Sequence, residues 1–247
     1  MHRVLVVAVL LWPCGGLAVA DDAAEARKVV DRAIEAAGGA KKLAGLTGGV
    51  WKTVGMFQGR PSRADFHGLV PGKFRIDSTR MADGKKVVHS RIVDGEKGWV
   101  VEGGSVRAMT AAEVARVKQT FYHKQTATTL VPLTDKEVRL SLAGKAVQNG
   151  RPATRVKVAR PGQPDLLLTF DAETYLLVKS EMTAKDPRTG KGQKVELEFG
   201  GHKEFDGVKM PAHTKTYHDG QLFLESEIVE FRQVKSLPAR TFTPDGD

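Results

Sequence analysis

Lys194-Val195-Glu196-Leu197-Glu198-Phe199 is the stretch whose reading decides the fold. Val195, Leu197 and Phe199 occupy alternate positions, and Lys194, Glu196 and Glu198 fill the gaps. Successive side chains of a strand point to opposite faces, so this strand has one dry face and one wet face. The same period runs through Phe74 and Ile76 against Arg75 and Asp77. It recurs in Leu222, Leu224 and Ile228 against Glu225 and Glu227. One wet face is the habit of antiparallel sheets, and the dry face has to be covered.

Working outward, the chain breaks from Gly49 into short segments separated by turn chemistry, the pattern of an all-β region. Strands are expected over Val50–Gln58, Ser62–Leu69, Lys73–Met81, Lys86–Asp94, Gly98–Glu102 and around Val106. A second series is expected over Glu137–Leu142, Lys145–Asn149, Pro152–Ala159, Asp165–Asp171, Tyr175–Ala184, Gln193–Phe205, Val208–Tyr217 and Gln221–Val234. Asn149-Gly150, Asp206-Gly207 and Asp219-Gly220 are hairpin turns whose central residues tolerate positive φ, so neighbouring strands should pair antiparallel.

Two helices are expected. Val29, Val30, Ala33, Ile34 and Ala37 recur at helical spacing over Ala23–Ala37, with Asp21 or Asp22 as cap and Gly38-Gly39 as the left-handed stop. Thr110-Ala111-Ala112-Glu113 is a capping box. Val114, Val117, Phe121 and Leu130 follow it as a stripe that can lie across a sheet, and Pro132 ends the segment. Two helices for some thirteen strands predict a mainly β (α+β) fold. In it, a long antiparallel half-barrel sheet curls round an N-terminal helix and a helical lid, with a groove in the remaining gap.

The N-terminus reads as an export signal. His2 and Arg3 precede the apolar run Val4–Leu11, and Ala18-Val19-Ala20 is an A-x-A cleavage pattern that sets the mature start at Asp21. The run falls short of the ~20 apolar residues a membrane span needs. Cys14 is the only cysteine; Trp12 and Pro13 before it are wrong for an acylated lipoprotein cysteine, so the mature chain is cysteine-free. That excludes a disulfide framework and any cysteine-based metal site. Residues 21–247 show no linker or internal repeat and are expected to form one domain, as a monomer.

The 247-residue chain carries 38 Lys+Arg against 29 Asp+Glu, a formal charge of +9, and losing Arg3 with the signal lowers it only by one. The basic residues are dispersed, which argues against nucleic acid and leaves an anionic envelope surface as a partner class. No nucleophile elbow, phosphate-binding loop or paired-acid site occurs. The histidines His67, His89, His123, His202, His213 and His218 read as scattered surface or hairpin residues. His213 and His218 stand at an odd offset that puts them on opposite faces of a strand. No enzyme, metal or cofactor is expected.

The chain also resembles the LolA/LolB-type lipoprotein carriers and the periplasmic domain of MucB/RseB-type regulators. The likeness rests on the helix closed by Gly38-Gly39, Val93-Asp94-Gly95 with Gly98-Trp99, and the helical insertion Thr110–Leu130. It continues in Leu168-Thr169-Phe170-Asp171 with Leu176-Leu177, in Phe205-Asp206-Gly207-Val208-Lys209-Met210-Pro211, and in Phe242-Thr243-Pro244. The resemblance implies an incomplete barrel with a helical lid over an apolar cavity for acyl chains. It implies an exported, periplasmic, non-catalytic carrier of lipids or lipidated proteins, with an envelope regulator or, behind it, an envelope hydrolase as the alternative. The apolar residues expected to line the cavity are Trp51, Phe57, Phe66, Phe74, Ile76, Trp99, Val114, Val117, Phe121, Leu168, Phe170, Val195, Leu197 and Phe199.

Overall fold

The computed structural model describes residues 16–82, 84–185 and 190–245. The first half of the chain is a meander of six strands: β1 (Gly48–Phe57), β2 (Arg60–Leu69), β3 (Lys73–Ala82), β4 (Lys85–Asp94), β5 (Lys97–Glu102) and β6 (Ser105–Ala108). The second half supplies β7 (Arg139–Gln148), β8 (Arg151–Ala159), β9 (Leu166–Asp171), β10 (Leu177–Lys185), β11 (Gly192–Gly200), β12 (Lys203–Phe205), β13 (Val208–Met210), β14 (His213–His218) and β15 (Gln221–Gln233). The helices are α1 (Gly16–Ala36), α2 (Ala40–Ala44) and α3 (Ala111–Thr129).

Thirteen strands form one antiparallel sheet in the order β6-β5-β4-β3-β2-β1-β15-β14-β11-β10-β9-β8-β7, while β12 and β13 pair apart as a ribbon. The order explains the lid. The first meander ends on one edge of the sheet at β6 and the second begins on the other edge at β7, so the connection between them has to cross a whole face. That connection is α3 followed by a 3-10 turn at Val131–Thr134. α3 touches both β5 and β10, which are eight strand spacings apart. Laid flat, eight spacings span about 38 Å at ~4.8 Å each. The 19-residue helix reaches only about 28 Å at ~1.5 Å per residue. Both contacts are met because the sheet curls round the helix without closing.

α1 lies on the inner face beside β7, and its stripe Ala26, Val30, Ala33, Ile34 and Ala37 is buried there. It is capped as expected at its end: the Gly39 N–H donates to the Ile34 carbonyl at 2.9 Å, and Gly38 and Gly39 both take positive φ. The helix does not begin at Asp21-Asp22. It runs back to Gly16, because Leu17-Ala18-Val19-Ala20 contains nothing that breaks a helix. Residues 1–15 of the expected export signal lie outside the described residues. α2 is a third helix, and its Leu43 is buried in the core.

Three strand boundaries differ from the sequence pattern. Glu137–Leu142 and Lys145–Asn149 are one strand, β7, with a bulge between Leu142 and Lys145 where Gly144 takes φ 91°. The stretch Gln193–Phe205 breaks at Gly201 (φ 56°) into β11 and β12, and Val208–Tyr217 breaks into β13 and β14. The resulting ribbon turns inward. Val208 and Met210 join the core, and the Lys209 N–H donates to the Ala37 carbonyl at 2.9 Å, closing one end of the fold beneath α1.

The opening alternation holds. Leu197 and Phe199 are buried on the inner face, and on the outer face Glu196 meets Lys179 (2.6 Å) and Lys194 (3.1 Å), with Lys194 also 2.8 Å from Glu181. The outer face is not bare everywhere. Over β3 and β4 it is covered by a C-terminal 3-10 turn, Ala239–Phe242, whose buried Phe242 lies under the Lys73 ammonium at 5.9 Å. No helix among the described residues is long and apolar enough to cross a membrane.

Candidate functional site

α3 is pinned along its length. Thr110 accepts from the Glu113 N–H while the Glu113 carboxylate accepts from the Thr110 N–H at 2.8 Å, so the expected capping box is present. Arg107, 2.9 Å from that carboxylate, and the Thr110 amide hold its pKa down to about 2. One turn on, Val114 packs on Phe74 and Val93, and Gly98 supplies the clearance: a Cβ there would stand 2.9 Å from Val114 and from Met109. Lys118 is ion-paired with Glu96 in the β4–β5 turn. Phe121 stacks on Phe74 with centroids 5.1 Å apart and planes 4° apart. Then His123 reaches across to β10, its Nε2 2.6 Å from the Ser180 hydroxyl.

His123 corrects the reading of the histidines as surface or hairpin groups, since it is 1% exposed on a helix. Burial, and next the charge of Lys124, push its pKa down to about 3, so it is neutral and serves as a structural tie between lid and sheet. No group of His, Cys, Asp or Glu able to hold a metal occurs among the described residues.

Beyond these anchors, from Phe121 towards its C-terminus, α3 covers a cavity of about 180 Å³. That exceeds the ~150 Å³ of an apolar cavity known to admit benzene. Its floor is the inner face of β1–β3 on one side and of β11, β14 and β15 on the other. Trp51 and Phe66 stack there with centroids 4.9 Å apart. Of the residues expected from sequence, Trp51, Phe66, Phe74, Ile76, Phe121, Leu197 and Phe199 border it.

The other seven lie elsewhere. Leu168 and Phe170 are sealed in the core, each 0% exposed. Val195 packs against that core beyond the cavity, and Val114 and Val117 fasten α3 to the sheet. Phe57 sits at the far end of β1, edge-on to Phe223. Trp99 pairs with Ile92, which pairs with Arg75, while its neighbour Gly98 lies under α3; Trp99 therefore points to the outer face.

Leu46, Met210, Pro211, Leu224, Ile228 and Phe231 also border the cavity. Phe231 and Ile228 share a face although three positions separate them. The β1–β15 register shifts between Lys52 and Thr53, and the unmatched residue opposite is Val229. The roof is polar: Lys124, Gln125, Thr128 and Thr129 of α3. Thr128 and Thr129 satisfy themselves on the carbonyls of Lys124 and Gln125, at 2.8 and 2.9 Å. The Lys124 ammonium lies 6.0 Å from the Phe66 ring centroid. Desolvation, and after it the charge of Arg91, lowers the Lys124 pKa.

No protein-family model matches the chain, and no curated protein matches it. Solved structures do. A LolA superfamily protein from Nitrosomonas europaea superposes with a TM-score of 0.54 at 11% identity, covering 89% of this chain and 98% of that one. A domain described as an outer membrane lipoprotein-sorting protein, from Vibrio parahaemolyticus, gives 0.52 at 12% identity over 88% of this chain and 97% of that one. At such identities the likeness is one of fold, and the chain has a LolA-like fold.

Proposed function

We propose that the protein is an exported carrier that shields the acyl chain of a lipid or lipidated protein in the cavity beneath α3. The observation that carries this reading is the unfilled apolar floor. The inner face is packed shut under α1, whereas under α3 a cavity of about 180 Å³ is left, bordered by Trp51, Phe66, Ile228 and Phe231. Each methylene moved from water onto such a floor is worth about 0.8 kcal/mol. The similar structures support the reading through fold, and one of them is described as a lipoprotein-sorting domain, which agrees with it. Release would require α3 to lift, and its ties at Phe121, His123 and Lys118 are the contacts that would have to open.

The A-x-A pattern before Asp21 is the basis for placing the protein in the periplasm. Cleavage there would spare Ala26, Val30, Ala33 and Ile34, which α1 buries in the core. Native mass spectrometry of the mature chain, purified from a bacterial envelope without detergent exchange, tests the carrier reading. A bound lipid or acylated peptide is expected. A ligand-free protein that also fails to take up a fluorescent fatty acid would overturn it.

A further inference from the structure

The cavity roof is chemically mismatched to its floor, and the mismatch has a direction. Lys124 hangs over Phe66, and beside it the Gln125 amide has no hydrogen-bond partner among the described residues. Two further cations stand near. Phe66 pairs with Ile76 and Ile76 with Arg91, so Arg91 continues the same inner-face row two strands away, about 10 Å along the sheet. Arg116 precedes Lys124 on α3 by eight residues, about 12 Å along the helix and less than a quarter turn around it. Among the described residues no carboxylate pairs with Lys124, Arg91 or Arg116, whereas their neighbours are matched: Arg80 with Glu102 and Arg107 with Glu113, both at 2.9 Å.

The Arg91 charge bears on Lys124 and the Arg116 charge on Arg91, so the three repel one another, and an anion bound among them would relieve that repulsion. The burial that lowers the Lys124 pKa would make a charge-assisted bond to that anion stronger than one in water. The geometry points to a headgroup site on the underside of the lid, where Lys124, with Gln125 and the flanking Arg91 and Arg116, binds the carboxylate or phosphate of an acidic amphiphile whose tail lies on the floor. This rests on the carrier reading and narrows it to amphiphiles with a negative head.

Affinities of the full mature chain for laurate, dodecanol, a lauroyl lysophosphatidic acid and inorganic phosphate test the site. Wild-type protein should prefer laurate to dodecanol by about tenfold or more. Lys124→Met should collapse that ratio, and Lys124→Arg should restore it. A tighter lysophosphatidic acid would assign the head as phosphate, and a weaker one as carboxylate. Equal affinity for laurate and dodecanol, or a preference that survives in Lys124→Met, would overturn the headgroup site and leave the carrier standing. Inorganic phosphate bound as tightly as the lysolipid would overturn it in favour of a free-anion site. If neither laurate nor dodecanol binds, the carrier reading itself fails.

Discussion

Two halves of one inner face meet different helices. Over β7–β10, α1 offers Ala26, Val30, Ala33 and Ile34, small and branched side chains that close onto Val156, Leu168 and Phe170. Over β1–β3, β14 and β15, the C-terminal half of α3 offers Lys124, Gln125, Thr128 and Thr129, which cannot enter an apolar floor without losing water. The strands beneath both helices alternate in the same way. The difference between core and cavity is therefore set by the covering helix: one half of the sheet carries the packed core and the other the proposed binding floor.

The sharpest way to break this comparison is to truncate a ring on each side. Phe170→Ala should cost about 3–5 kcal/mol and lower the melting temperature strongly, because its surroundings are rigid on every side. Phe66→Ala should cost roughly 1–2 kcal/mol while weakening lipid uptake, because one side of that ring already borders empty space. Chemical denaturation of both variants checks the contrast, and equal losses would mean that the two halves are packed alike.

Ser180→Ala sharpens the comparison at the seam. It leaves the buried Nε2 of His123 without a partner and should cost about 1–3 kcal/mol, with amide exchange in α3 rising more than in α1. Filling the open half is the converse test. The atoms nearest a Cβ on Gly68 would be ring carbons of Trp51 and Phe121 at 3.7–3.8 Å, ordinary contact distances, so Gly68→Leu should block fatty-acid binding with little change in melting temperature. A variant that still binds at wild-type affinity would place the ligand elsewhere.

The smallest effect is expected at the lid's start. Glu113→Gln should destabilise α3 by about 0.5–1 kcal/mol. In the wild-type protein the folded pKa of Glu113 lies below its unfolded value, so its contribution is full above about pH 4.5 and fades as the pH falls towards 2. The same acid titration of the variant, followed by amide exchange in α3, should lack this component.

Much of the architecture could be read from residues. Alternation placed most strands, Gly38-Gly39 ended α1, and Thr110 with Glu113 located the lid to within a residue. What escaped was set by geometry beyond the local pattern. Gly201 bends the chain into a ribbon that brings Met210 and Pro211 to the cavity, and alternation carries no trace of that turn. The bulge at Val229 swaps the faces of β15, so Phe231 reaches the cavity against the period. Trp99 and Phe74 obey the same alternation as every strand residue. Only the pairing of Gly98 with Val93 reveals that Trp99 faces outward. That a floor remains open depends on what stands above it, which no strand pattern encodes.

Trp51 and Trp99 convert the central claim into one measurement, since removal of residues 1–20 leaves them as the only tryptophans, one on the cavity floor and one on the outer face. The mature protein is titrated with a bromine-labelled fatty acid in two variants, Trp99→Phe, which reports from Trp51, and Trp51→Phe, which reports from Trp99. Saturable quenching of Trp51 at stoichiometric ligand is expected, and none of Trp99. Quenching of Trp99 alone, or of neither, would contradict it.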